Sequence, residues 1–375
     1  MRIKTLRFHR LSIPFKVAFK HSSAFRNTTE SIWVEADGDN GLTGNGESCP
    51  RFYVTGETLE TARQYFGSIK DLLVAEMHGI DDLDRWVAVE KDVIDKNPAA
   101  WCAVELALLD LFAKTAHTSV EEMLGLPAVR GTFRYSAVLG DSGIDVYQAQ
   151  LDKYLALGFK DYKIKVSGDI DKDKEKLACL EKAGDHSFRV RLDANNLWQK
   201  PLEAIEYIRS LGYPVWAIEE PLTVGDFKGL TKIANRLKVK IILDESFLNI
   251  AHFALLEENP DLWIINLRIS KMGGLIRSKN IVDTAARAGI GLIIGAHVGE
   301  TSLLTRAALS IAQFVKSSLM AQEGAFGTHL LGHDIVDSSL MFGKGGELDT
   351  EILELPGLPG FGLSLTSIED YLMRL

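Results

Sequence analysis

From about Thr132 the chain alternates between short apolar runs and longer stretches with apolar residues at helical spacing. The runs "FRYSAVLG", "DYKIKV", "RVRLDA", "VWAIEE", "KIILDE", "LWIINLRIS", "GLIIGAHV" and the segment around "MAQEG" read as strands. Between them, stretches such as "DVYQAQLDKYLALG", "DKDKEKLACLEKAG" and "PLEAIEYIRSLG" read as helices, several closing on a glycine. Eight strands alternating with helices predict a parallel sheet of the (β/α)₈ barrel type. Residues 1–125 read differently, as an α+β unit. There "MRIKTLRFHRLSIPF" and "TESIWVEADGDNGLTGNGES" alternate like strands, and "NPAAWCAVELALLDLFAKTAH" is a long, mostly apolar helix. The segment "TGETLETARQYFGSIKDLL" is a second helix, with a Thr-x-Glu start. The Gly- and Pro-rich tail "ELDTEILELPGLPGFGLSL" is extended and is expected to return to the N-terminal unit. The predicted division is 1–125, 126–345 and 346–375.

Polar residues at the strand ends keep step with this alternation. Lys165, Asp193, Glu219, Asp244, Lys271, His297 and Glu323 follow one another at 28, 26, 25, 27, 26 and 26 residues. One βα unit per step places each at a C-terminal strand end, where barrels of this type carry their active sites. Asp193, Glu219 and Asp244 fall on three consecutive strands, which lie about 4.8 Å apart. Any one alone reads as a surface acid at a loop mouth. Three in register would repel unless protonated or bound to a cation, and three oxygen donors with open positions suit Mg²⁺.

Lysines flank the acids. Lys163 and Lys165 share one face of their strand, with Tyr162, Ile164 and Val166 on the other. The two lysines lie roughly 6–7 Å apart by strand rise, close enough for each to push the other toward neutrality. Lys271, before a Gly pair in "SKMGG", sits four strand positions away, across the ring. Taken singly, a Lys pair can protect an exposed edge strand, and Lys271 can be a solvated loop residue. Together they place an ammonium group on each side of a metal-bound carboxylate. That geometry suits removal of a proton α to the carboxylate through an enediolate, with the metal stabilising the developing charge.

Composition narrows the field without adding to it. The 375-residue chain is 46% hydrophobic and 25% charged, with a net charge of −9 and scattered Lys and Arg, so no basic face for nucleic acid is expected. No apolar run reaches the length of a membrane span, and no secretory signal stands at the N-terminus. Cys49, Cys102 and Cys179 are odd in number and far apart, which points to buried thiols and a cytoplasmic protein.

At these residues the chain resembles the enolase superfamily, specifically its muconate lactonizing enzyme subgroup. The carriers are "KIK", "DAN", "EEP", "DES" and "NLRISKMGG", with "AAWCAVELALLDL" and "PGLPGFGL" in the N-terminal and tail segments. The resemblance implies a modified (β/α)₇β barrel under an α+β capping domain built from the N-terminal region and the C-terminal tail. It implies Asp193, Glu219 and Asp244 as Mg²⁺ ligands, Lys165 and Lys271 as the acid/base pair, Lys163 as the residue tuning Lys165, and Asn195 as a support. Lys bases beside Mg²⁺ are an established arrangement of enolase-superfamily sites. The subgroup spans muconate cycloisomerases, o-succinylbenzoate synthases, N-acylamino acid racemases, dipeptide epimerases and proline-derivative epimerases. A racemase or epimerase of an amino-acid derivative is the leading expectation, because two bases on opposite faces are what it requires. A cycloisomerase or a β-elimination enzyme is the close alternative.

Dipeptide epimerases of the subgroup commonly carry Asp-x-Asp on the eighth strand to hold an ammonium. Here "MAQEGAFG" offers only Glu323, for a cationic group or a structural role. Specificity is expected in the loops "FKHSSAFRNTTE" and "CPRFYVTGE", with Arg26, Arg51 and Tyr53 as candidates for a distal carboxylate or acyl group, and at His297 and Glu300. For each of these an ordinary loop role competes. The partner is a small-molecule carboxylate, and related barrels imply a homo-oligomer. A Schiff-base barrel enzyme explains a lysine but not three acids, and a binding or structural barrel with no catalysis is a third class, kept alive by weak, promiscuous turnover over a broad carboxylate library.

Overall fold

The eight apolar runs form one parallel sheet in chain order: Ala137–Leu139, Asp161–Lys165, Arg189–Asp193, Ala217–Glu219, Lys240–Leu243, Trp263–Leu267, Gly291–Ile294 and Leu319–Gln322. A computed structural model of the chain describes residues 1–21, 24–183, 187–351, 357–366 and 368–374. The ring closes where Ser136 N donates to Gln322 O at 2.7 Å. At the floor of the ring Ala217, Ile242, Ile264 and Ile293 pack on one another, walled off from the larger core. Outward residues of the barrel strands, such as Tyr162 and Ile164, join that larger core beneath the helices.

The helices Ile144–Leu157, Ile170–Lys182, Pro201–Leu211, Phe227–Leu237, Leu275–Ala288 and Ser302–Phe314 cover the barrel. Three of them end against a left-handed glycine, Gly158, Gly212 or Gly289, as the sequence pattern predicts. The glycine closing "DKDKEKLACLEKAG" lies outside the described residues, as do Ser22 and Ser23 of the first candidate loop and residues 352–356 of the tail. Among the described residues the eighth strand is followed by a 3₁₀ turn, Gly327–His329, and by no α-helix, which is the (β/α)₇β arrangement. The fifth crossover departs from expectation. It is built from two short 3₁₀ segments, Ile250–Leu255 and Pro260–Leu262, the second with Pro260 in its first turn. The run "FRYSAVLG" is also two strands. Thr132–Arg134 pairs outside the barrel with Glu347–Asp349, and the chain bends at Tyr135–Ser136 before the first barrel strand.

Over the barrel sits an antiparallel sheet, in the order Leu372–Arg374, Ile3–Leu11, Ser31–Gly38, Thr43–Ser48. The tail thus returns to the N-terminal strand. Helix Pro98–Thr115 lies on this sheet, and every residue from Pro98 to Ala113 is buried, as its all-round apolar character requires. Gly44 and Gly46 let it approach, since a Cβ there would stand 2.1 Å from Ala107 O and 2.0 Å from Ala103 O. The capping sheet is bonded directly to a barrel helix: Glu47 accepts from Thr301 N at 3.1 Å, Thr301 Oγ1 at 2.5 Å and Leu304 N at 3.3 Å, at the start of Ser302–Phe314. Burial pushes the Glu47 carboxyl up to about 8. Cys49 and Cys102 are buried free thiols and Cys179 is a half-buried one. No helix among the described residues is long and apolar enough to cross a membrane.

Candidate active site

Strand alternation turns Lys163 and Lys165 into the ring, and strand register then sets what they meet. Lys165 lies opposite Asp193, and Asp193 opposite Glu219. Glu219 lies opposite Ile242, so Asp244, two residues on, shares its face. The three acids line up on consecutive strands, as the spacing predicts. Lys165 Nζ is 3.0 Å from Asp193 Oδ2 and also donates to Asn195 Oδ1. Lys271 is not on its strand but on the short helix Ile269–Met272 after it. From there its fully buried Nζ reaches back to Asp244 O at 2.7 Å, Asp244 Oδ1 at 2.9 Å and Asn266 O at 2.8 Å. One lysine is therefore bound to the first acid and the other to the third, with Glu219 between.

The charges divide the roles. The two lysines of "KIK" do not simply neutralise each other. Burial would lower the Lys163 pKa, but its ammonium lies 3.1 Å from Asp193, 2.9 Å from Glu219 and 3.2 Å from Glu323, and these carboxylates raise it above the ordinary lysine value. Lys163 stays a cation. Lys271 moves the other way: burial lowers it and Arg268 adds to that, against the pull of Asp244. Burial would raise Asp193, but Lys163 and Lys165 hold it well below the usual carboxylate range. Asp244 is likewise held down by Arg268 and Lys271 against burial. Glu219 is pushed up to about 7 by burial.

The donor set fits a divalent cation. Three carboxylates supply hard oxygen ligands, and Glu219 Oε2 is a buried carboxylate oxygen with no hydrogen-bond partner among the described residues. As the side chains stand, no three of the described donors close on one point. The Lys163 ammonium bridges Asp193 and Glu219, and the Arg268 guanidinium pairs with Asp244 and lies 3.8 Å from Glu219. The strand below is braced by Glu220, which accepts from Asp244 N and Ser246 N at 2.7 Å and from Ser246 Oγ at 2.8 Å.

Glu323 enters the ring from the eighth strand end, where it is gripped on both sides. Arg191, fully buried, donates from Nη2 to Glu323 Oε1 at 2.7 Å and from Nη1 to Ser136 Oγ at 3.0 Å, and also pairs with Asp161. Burial would raise Glu323, but Lys163 and Arg191 override it and hold the carboxyl at about 2. Arg191, Arg268 and Glu220 were not singled out from sequence. Arg191 is two residues before Asp193, so alternation alone puts it on the inward face.

The loop candidates fall into two groups. The Arg51 guanidinium donates to Pro50 O at 2.8 Å, Glu30 O at 3.2 Å, Thr29 O at 3.2 Å and Val298 O at 2.8 Å. It braces the capping loops against the loop after the seventh strand. Arg26 pairs with Glu30 through Nε at 3.1 Å, and its guanidinium lies 5.6 Å from the centre of the Tyr53 ring. His297 is buried with neither ring nitrogen bonded among the described residues. Burial holds it well below the usual imidazole range, helped by Arg268 and Arg51, so it is neutral. Glu300 accepts from His297 N at 2.6 Å, and burial pushes it up to about 7. A separate cavity of about 440 Å³, lined by Ile80, Asp84, Arg277 and Ile281 among others, holds none of these groups.

Comparison with known proteins places the chain. Residues 2–125 match the mandelate racemase/muconate lactonizing enzyme N-terminal domain, and residues 146–369 match the enolase C-terminal domain-like family. An L-Ala-D/L-Glu epimerase of Bacillus subtilis is 27% identical over 97% of both chains. The structure of its substrate-liganded complex superposes with a TM-score of 0.85 at 25% identity, covering 98% of this chain and 100% of that one. A hydrophobic dipeptide epimerase of Enterococcus faecalis is 27% identical over 87% of this chain and 92% of its own. A structure of the dipeptide epimerase from that organism, complexed with Mg and L-Leu-L-Tyr, gives a TM-score of 0.83 at 25% identity over 97% and 100% of the two chains. An N-succinyl-L-Arg/Lys racemase of Bacillus cereus is 23% identical over 100% of this chain and 98% of its own. Its structure has the same fold, with a TM-score of 0.83 at 21% identity and the same coverage.

Proposed function

The chain belongs to the mandelate racemase/muconate lactonizing enzyme family of the enolase superfamily, whose members use a divalent metal, and we propose that it is a Mg²⁺-dependent racemase or epimerase of an amino-acid derivative. The observation that carries this reading is the placement of Lys165 and Lys271 on the two flanking acids, with Glu219 between them. Asp193, Glu219 and Asp244 would hold the cation. When bound, it supplies a positive charge for the substrate's carboxylate oxygens. Lys271, lowered by burial, takes or returns the α-proton on one face. Lys165, oriented by Asp193 and Asn195, does the same on the other. Lys163 stays protonated and balances the acids. Arg26 and His297 would meet the distal part of the substrate.

The amino group of the substrate is best read as acylated. Glu323 is already neutralised by Arg191 and Lys163, so the eighth strand end offers no spare anion for a free ammonium. The similarity to dipeptide epimerases favours a second reading, a dipeptide with a free N-terminus. The test is loss of the α-proton signal by NMR in D₂O with Mg²⁺, using N-acylamino acids and dipeptides as separate panels. Exchange of both enantiomers of an N-acylamino acid is expected, abolished by EDTA, with Lys165→Ala and Lys271→Ala each abolishing exchange of a different enantiomer. Exchange only with free-amine dipeptides decides for the second reading. No exchange in either panel overturns both and returns the cycloisomerase alternative, whereas exchange indifferent to EDTA overturns the metal-dependent reading and returns the Schiff-base alternative.

A further inference from the structure

The two lysines are held in place by different parts of the molecule. Around Lys165 the tethers among the described residues come from the barrel. Val166 N donates to Asp193 O at 3.0 Å, Lys176 Nζ to Lys165 O at 3.0 Å, and Ser167 N to Asp173 Oδ2 at 2.8 Å. The Lys271 ammonium is held by the barrel, through Asp244 and Asn266, but the backbone on either side of it is tied to the N-terminal part of the chain. On one side Ser270 Oγ accepts from Cys49 N at 2.9 Å and donates to Cys49 O at 3.2 Å, at the end of a capping strand. On the other, Met272 O accepts from Arg277 Nε at 2.9 Å. That guanidinium also donates to Lys91 O at 3.4 Å and pairs with Asp95. Beyond the turn, Ile276 N donates to Glu105 Oε1 at 3.1 Å, from the buried capping helix. Glu105 is itself oriented by Trp101 Nε1 at 3.2 Å.

The turn itself has little stiffness of its own. Gly273 and Gly274 both adopt positive φ, +80° and +100°, where glycine is the least constrained residue. Glu105 presses so closely there that a Cβ on Gly274 would stand 2.2 Å from its Oε1. Lys271 sits between the Cys49–Ser270 bonds and this Gly pair, and its Nζ must still reach the ring. A displacement of about 1 Å in such a group can lower a rate about a hundredfold.

We infer that Glu105, Ser270 and Arg277 are positioning residues for Lys271, so that the capping domain sets one of the two proton-transfer faces while the barrel alone sets the other. This inference rests on the two-base reading above. A residue that merely stabilised the fold would affect both faces alike; a positioning residue for Lys271 affects one.

The test compares Glu105→Ala, Glu105→Gln and Ser270→Ala with the parent enzyme in Mg²⁺ and D₂O, following each enantiomer separately. Lys271→Ala identifies the enantiomer that Lys271 serves. Exchange of that enantiomer should fall roughly tenfold to a hundredfold in Glu105→Ala and Ser270→Ala, while the other changes by less than about threefold. Glu105→Gln keeps an acceptor oxygen and should recover part of the loss. Equal losses for both enantiomers, or none, overturn the inference. A second readout does not depend on turnover. Amide deuterium uptake, read by mass spectrometry, should rise in residues 268–278 and not in 163–168 of the two alanine variants. Unchanged uptake in 268–278 overturns the inference. A parent enzyme that exchanges neither enantiomer overturns the two-base reading instead, and uptake still decides the tethering. If Glu105→Ala does not fold, Ser270→Ala, which removes one oxygen, carries both readouts.

Discussion

Replacing Arg191 with Met tests both how the barrel is held and what it binds. Arg191 is fully buried, and removing it leaves Glu323 inside the ring with Lys163 as its remaining close cation. Stripping one partner from a buried ion pair costs about 3–5 kcal/mol, because the other charge stays behind. The carboxyl gives a second figure. It is held at about 2 against an ordinary 4.5, a difference of 2.5. At about 1.36 kcal/mol for each, that is roughly 3 kcal/mol of stability from the pairing of Glu323 with Lys163 and Arg191 together. That figure covers Lys163 and Arg191 together, so Arg191 accounts for only part of it. The sign follows from the direction: a carboxyl held down in the folded state stabilises above its ordinary value and loses that stability as pH falls toward about 2. Urea denaturation at pH 7 should show Arg191→Met losing about 3–5 kcal/mol. The double variant with Glu323→Gln should recover most of it, since the stranded charge is gone. Freed from Arg191, Glu323 should also confer new exchange activity on free-amine dipeptides. A single-variant loss below about 1 kcal/mol, or a double variant no better than the single, refutes the reasoning.

Two further outcomes are expected. Gly46→Ala places a Cβ 2.0 Å from a backbone oxygen of the buried capping helix, and urea denaturation should show a loss of about 3 kcal/mol or more, where a loss under about 1 kcal/mol would contradict the packing. Glu47 keeps its proton up to about 8, whereas the unfolded chain releases it near 4.5, so its contribution to stability falls as pH rises through that window. Melting temperatures at pH 6 and pH 9 should therefore diverge more for the parent than for Glu47→Gln, and parallel shifts in the two proteins would contradict the assignment.

Much of the site was legible because the barrel converts chain spacing into position. Asp193, Glu219 and Asp244 needed only the strand period and the unit length to be placed together. The lysine pair was legible in direction and only partly in charge: alternation aims Lys163 inward toward Asp193 and Glu219, which do most to keep it a cation, while Glu323, which adds to them, arrives from a strand 160 residues away. Arg51 was misleading in a similar way. A loop arginine suggests a ligand, but four backbone carbonyls from three segments converge on it, and only Pro50 is local to "CPRFY". Glu105 was visible only as a polar residue in an apolar helix, because its partner Ile276 belongs to another part of the chain.

The capping sheet contains both ends of the chain. Leu372, Met373 and Arg374 pair with Leu11, Arg10 and His9, and Ser12 N donates to Tyr371 O at 3.0 Å. Strand Ile3–Leu11 is therefore completed only by residues that follow the whole barrel in the sequence. While the ribosome is still at work, strand Ile3–Leu11 has an open edge, even after all eight barrel strands have emerged. A clipped C-terminus would leave it permanently bare, turning a small proteolytic loss into a tendency to aggregate.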